Sequence, residues 1–168
     1  GAWIAIVPLV TAAFLVTYLH KHTWHRWAAG RAKSWHVALG ALGAALLLAV
    51  PAVFLANVNL MLFPDRWSAV RGFASALALP NAAARLGHFL VASVAVAALF
   101  LLLHVLRAGA PTFAGLDRLR LRRLFYAIAL GATSAQLFFG SLVLVTLPRA
   151  GLSAPLFVVV GLGVTLAA

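Results

Sequence analysis

Most charged side chains in this sequence fall in short clusters, and the stretches between them are apolar for long enough to cross a lipid bilayer. Crossing the hydrocarbon core as a helix takes about 20 apolar residues. Five stretches meet or approach that length, roughly 2–20, 36–63, 86–106, 124–147 and 152–168. Charged residues make up 9% of the chain, against about a quarter in a soluble domain, whose surface must face water. A chain with so little charge has to turn an apolar surface outward. The expected architecture is therefore an all-α membrane protein, a single bundle of about five transmembrane helices over 1–168.

The formal net charge of +11 would suit nucleic acid if the cations formed one basic face. Here they are scattered in clusters between apolar runs, so the implied partner is the lipid bilayer and nucleic acid is excluded. Cysteine is absent, which rules out disulfides, Cys-ligated iron–sulfur clusters and a Cys-x-x-Cys-His haem attachment. The only acidic residues are Asp65 and Asp117, and both lie outside the apolar runs. The first run opens at Gly1 without the basic stretch of a signal peptide, and the last is still apolar at Ala168. That pattern reads as part of a longer polypeptide, or as a subunit completed by neighbours.

Orientation follows from where Lys and Arg sit, because loops rich in them stay cytoplasmic. Lys21, Arg26, Arg31 and Lys33 follow the first run, and Arg107, Arg118, Arg120, Arg122 and Arg123 follow the third, which makes nine. The opposite side holds Arg66, Arg71, Arg85 and Arg149, which makes four. The loops near 21–35 and 107–123 are thus expected in the cytoplasm of a bacterial inner membrane protein, with the 64–85 connection outside. Within that connection, Ala69 to Leu79 is apolar enough for a short helix lying on the membrane surface, with Pro80 or Asn81 opening the third span. Trp24, Trp27, Trp35 and Trp67 fall near the expected interfaces, as an aromatic belt does.

Six histidines carry most of the chemistry available. His20, His22 and His25 cluster beside Lys21 and Arg26, and read as an interfacial basic loop touching lipid headgroups. As a metal site, His-x-His-x-x-His without a carboxylate or Cys is a weak pattern. His88 lies about one turn inside the third run, where a polar side chain needs a partner. Arg85 sits three residues earlier on the same helix face. A His that can ligate iron, with a cation one turn nearer the water, suits an upright haem, and Ala92 and Ala95 would leave room beside it. The other reading of His88 is a side chain bonded to a neighbouring helix's backbone. His104 is sixteen residues further on, about 24 Å along the helix and nearly on its opposite side, so it cannot share that haem. His36 opens the second run at the level of His104; the two read first as interfacial side chains reaching toward water, and as a tentative second haem site after that. Asn57, Asn59 and Gln136 are the few polar groups of the kind found at transporter midplanes.

Several of these residues lie in an order that resembles subunit I of the cytochrome bd quinol oxidase family. Trp35-His36-Val37-Ala38-Leu39-Gly40 stands where that family has a Trp-x-Val-Ala-Leu-Gly-like helix start. Ala56-Asn57-Val58-Asn59-Leu60-Met61-Leu62-Phe63-Pro64 is similar to the family's Ala-Asn-Gly-Trp-Met-Gln-x-Pro, one residue longer. Pro80-Asn81 precedes Arg85 and His88 with the family's Arg-x-x-His spacing, and Asp117 to Arg123 matches the basic loop that follows. Gly1 to Ile6 looks like the opening of the family's third helix. The resemblance implies a haem b with His88 on its iron and Arg85 beside a propionate, a quinone as a further ligand, and an electron-transfer role within a respiratory or photosynthetic complex. Its partners would be other membrane subunits and an external-side cytochrome or redox protein.

The departures from that family bear on activity. Val7 and Leu15 stand where its third helix carries acidic residues, and Thr146-Leu147-Pro148-Arg149-Ala150-Gly151 runs on without its Gly-Asp-x-x-Gly motif or quinol-binding loop. Reducing oxygen to water consumes protons that must reach a buried site through protonatable groups in the membrane. With no carboxylate in any span, this chain is not expected to be an oxygen reductase by itself. A haem-free scaffold subunit of such a complex is the alternative. The charge asymmetry sets the topology test: single cysteines placed at position 71 should be labelled by an impermeant reagent from outside, and those at 33 and 120 should be protected. The reverse pattern would overturn the orientation.

Overall fold

The computed structural model describes residues 2–27, 30–107, 117–148 and 152–167, and all regular structure among them is helical, with no strand. The helices are α1 (Ala2–Thr23), α2 (Gly30–Leu60), α3 (Phe73–Leu77), α4 (Ala82–Leu106), α5 (Arg118–Thr146) and α6 (Ala154–Ala167), with a short 3-10 helix at Pro64–Ala69. Among the described residues four helices are long and apolar enough to cross a membrane, α1, α2, α4 and α5. Their large side chains, such as Ile4, Val7, Leu15, Phe100 and Phe138, point outward. The chain is an all-α membrane protein, and its solvent is lipid.

The fold divides into two units, Gly1–Ala82 and Ala83–Ala168. In the first, α1 packs along α2 through small residues. Ala13 is fully buried, and a Cβ on Gly43 would come within 3.4 Å of Thr17 Oγ1 and Val16 Cγ1. The His20 ring lies over Gly40 so closely that a Cβ there would be 2.8 Å from its Cε1. Lipid tails are as apolar as Leu, so helices associate in hydrocarbon by such close contact rather than by a hydrophobic drive.

The end of α2 illustrates how the backbone is satisfied. Its last carbonyls have no helical donor. Asn59 O accepts from Leu62 N and Leu60 O from Phe63 N, while the Trp67 indole donates to Leu60 O at 2.8 Å. Asn59, fully buried, sends its Nδ2 to Pro80 O at 2.9 Å, tying the end of α2 to the turn before α4. In that turn Asn81 adopts φ 72°, a left-handed conformation that Asn tolerates better than most residues. The expected surface helix over Ala69 to Leu79 is only the five residues of α3. Ser75 folds that segment back, its hydroxyl oxygen accepting from the backbone N–H of Arg71 and Gly72.

In the second unit α4 buries Ala95, Ala98 and Val105, and α5 buries Ala129 and Ala132. Gly87 lies directly under the Phe139 ring, which occupies the space where a Cβ would stand. Asp117 caps α5, its carboxylate accepting from Leu119 N at 2.9 Å and Arg120 N at 3.2 Å. The stretch expected at 152–168 forms α6, 14 residues long and therefore about 21 Å, short of the roughly 30 Å hydrocarbon core. Gly1, Arg149, Ala168 and parts of both expected cytoplasmic loops, 28–29 and 108–116, lie outside the described residues.

The Asn59 bond is long-range, whereas Asn57 bonds within its own helix, Nδ2 to Val53 O at 2.8 Å. Asn59→Leu should lower stability to unfolding in mixed micelles by about 1–2 kcal/mol, and Asn57→Leu should leave it nearly unchanged. Equal effects from the two would show that the Pro80 contact does not hold the turn.

Candidate functional site

Inside a bilayer a polar side chain must find its partner within the protein. Most hydroxyls here do so locally. Thr11, Thr17, Thr23, Ser93, Ser141 and Thr146 each bond the carbonyl four residues earlier, at 2.6 to 2.9 Å. Among the described residues the exceptions are His36 Nε2, Asn59 Oδ1, His88 Nδ1 and Gln136 Oε1, which are buried without a hydrogen-bond partner.

Two of these exceptions lie together. His88 stands six residues into α4, and Gln136 on α5 donates its Nε2 to the His88 backbone carbonyl at 3.2 Å. Both line a cavity of about 420 Å³ with Thr133, Gly140 and Ser141 of α5 and Val160 of α6, a size usual for small-molecule and cofactor sites. Gly140 lies beside the imidazole, where a Cβ would make ordinary van der Waals contact, 3.7 Å from His88 Cε1 and 3.8 Å from Nδ1. Two residues that each hold a partnerless buried atom, His88 and Gln136, thus line one cavity with the hydroxyl residues Thr133 and Ser141, a lining that suits a ligand able to engage polar groups. Residues of that kind can hold a haem. A His axial ligand uses one ring nitrogen for iron and donates the other to an acceptor, and Gln136 Oε1 is available for that second role. Arg85, partly buried, is one turn nearer the start of α4. The small residues beside the cavity differ from those expected: Gly140 borders it, whereas Ala95 is buried elsewhere on α4 and Ala92 lines a separate groove with Phe89 and Phe100.

The tentative second pair, His36 and His104, belongs to two different units. His104 belongs to the second, where its ring lies parallel to Phe100 at 6.5 Å between centroids. His36 belongs to the first and stacks on His20, with centroids 4.0 Å apart and planes 14° apart. Trp24 meets both imidazoles edge-on, at 5.9 and 5.3 Å. His20 Nδ1 lies 3.2 Å from His36 O and His36 Nδ1 lies 3.1 Å from Thr23 Oγ1. A carbonyl only accepts, so His20 carries its proton on Nδ1. His22 instead stacks on Tyr18, because residues two apart on a helix point to nearly opposite sides. Among the described residues no group of three or more metal-ligating side chains comes together.

Sequence reasoning missed the His20–His36 stack and the face that α5 turns to His88. The first joins residues sixteen apart across a helix–helix turn, which no spacing rule announces. The second left a signal, since Thr133, Gln136 and Gly140 recur at helical spacing on one stripe of an apolar helix. No protein-family profile, curated protein or solved structure matches the chain.

Proposed function

We propose that this chain is a haem b-binding, cytochrome-bd-like membrane subunit that passes electrons within a respiratory or photosynthetic complex, between the quinone pool and an external-side redox partner. The observation that carries the reading is the pair of partnerless buried atoms, His88 Nδ1 and Gln136 Oε1, at the wall of one cavity. His88 would hold the iron, and Gln136 would fix the ring by accepting its remaining N–H. Arg85, one turn toward the external face, would offset propionate charge. A haem in that place supplies reversible one-electron transfer, and the chain's share is to position and tune it through the axial ligand, nearby charge and burial. The topology that fits is a bacterial inner membrane protein with Lys33 and Arg120 in the cytoplasm. A quinone and further membrane subunits would complete the electron path.

The absence of any carboxylate from the spans sets a limit on the chemistry. Asp65 sits in the 3-10 helix and Asp117 caps α5, so neither can relay protons through the hydrocarbon. The alternative, a haem-free scaffold subunit, draws support from the hydroxyls that close on their own helices and leave few polar groups for a ligand.

The reduced absorption spectrum of the purified protein tests the reading. A dithionite-reduced b-type band is expected, and His88→Ala should abolish it while the protein still inserts, because Ala is readily accepted in a membrane helix. Arg85→Leu should keep the band and lower the midpoint potential, since a nearby cation favours the form with one more electron. A spectrum unchanged in His88→Ala refutes the assignment and leaves the scaffold in front. The isolated chain should also show no quinol-dependent oxygen consumption in an electrode assay, and measurable oxidase activity would overturn the electron-transfer role.

A further inference from the structure

We propose that the histidine–tryptophan end of the α1–α2 pair is a binding site for the phosphodiester headgroup of an anionic phospholipid. The site is independent of His88 and of any haem. From His20 to His36 the chain carries Lys21, Arg26, Arg31 and Lys33 and no carboxylate. The only acidic residue of this unit is Asp65, beyond the far end of the 31-residue α2, about 46 Å along the helix. Charges that far apart are screened at physiological salt, where the Debye length is about 8 Å. The counter-charge for this end must therefore come from outside the unit.

The same end is built to receive one. A cavity of about 360 Å³ is lined by His20, Trp24, Trp27, Lys33, His36 and Val37. His36 is 8% exposed, and its Nε2 is buried without a partner. The Thr23 hydroxyl beside Nδ1 sends its one proton to Leu19 O, so it accepts from His36 Nδ1 and leaves Nε2 as an acceptor for a headgroup hydroxyl. Lys33, exposed at the rim, supplies the charge. His20, whose Nδ1 donates to His36 O, keeps Nε2 to accept from a hydroxyl, as a polyol headgroup provides. Trp24 and Trp27 add rings that settle where acyl chains meet headgroups. A choline headgroup would instead set its quaternary ammonium against Lys33.

Native mass spectrometry of the full chain in detergent, titrated with phosphatidylglycerol, phosphatidylcholine or inorganic phosphate, tests the proposal. Phosphatidylglycerol should give an adduct that survives activation, and phosphatidylcholine should not. Lys33→Gln changes an exposed side chain and keeps the fold, checked by circular dichroism. It should weaken the adduct about fivefold or more, the loss of one cation's attraction to anionic lipid. His36→Phe keeps a ring on His20 but removes the Nε2 acceptor, and should weaken it as well. Lys21→Gln, outside the cavity, should leave it unchanged. Equal binding of the two lipids, or no effect of Lys33→Gln, overturns the site. Displacement of the lipid by inorganic phosphate would assign the site to a free anion and overturn the lipid as its source.

Discussion

Hydrocarbon offers no hydrogen bonds, and this structure is organised by that fact. Each donor and acceptor within the spans has to be answered by the chain, so the cheapest arrangement is the local one. Thr and Ser side chains fold back on their own helices, Asp117 covers the first amides of α5, and Trp67 reaches back to the end of α2. Close helix contact is left to small residues, with Gly40 under His20 and Gly87 under Phe139. Once these groups are closed, the few that stay open become informative. Asn59 spends its amide on Pro80 and serves the fold. His88 and Gln136 line one cavity, and each keeps a buried atom without a partner.

The spans were legible in the sequence because hydropathy reports transfer into lipid directly. Their ends were less so. α2 begins at Gly30 rather than at 36, since backbone hydrogen bonding continues past the point where side chains turn polar. At 31 residues it extends about 46 Å, well beyond the roughly 30 Å hydrocarbon core. The short surface helix was overread from apolar content alone. Phe73–Leu77 is held by Ser75 and ends where Pro80 and Asn81 redirect the chain.

The candidate site was half legible. His88 stood out by depth, because a lone imidazole in an apolar run is costly and has to be explained. Which residues would face it depended on the rotation of α5, and hydropathy averages over rotation. Gln136 therefore read as an isolated polar residue until its contact with the His88 carbonyl placed it. His36 was visible only as an interfacial residue. Its contacts with His20, Thr23 and Trp24 arise from the way α1 and α2 are joined, which the intervening sequence does not encode in any periodic form.

The bond from Asn59 to Pro80 has a further consequence for how the chain folds. The hydroxyl contacts each lie within one turn and can close as soon as a single helix enters the bilayer. Asn59 is different, because its acceptor lies 21 residues downstream. Until the turn at Pro80 packs against the end of α2 that amide is unanswered by the chain, so this bond closes with tertiary packing and not with the helix that carries it.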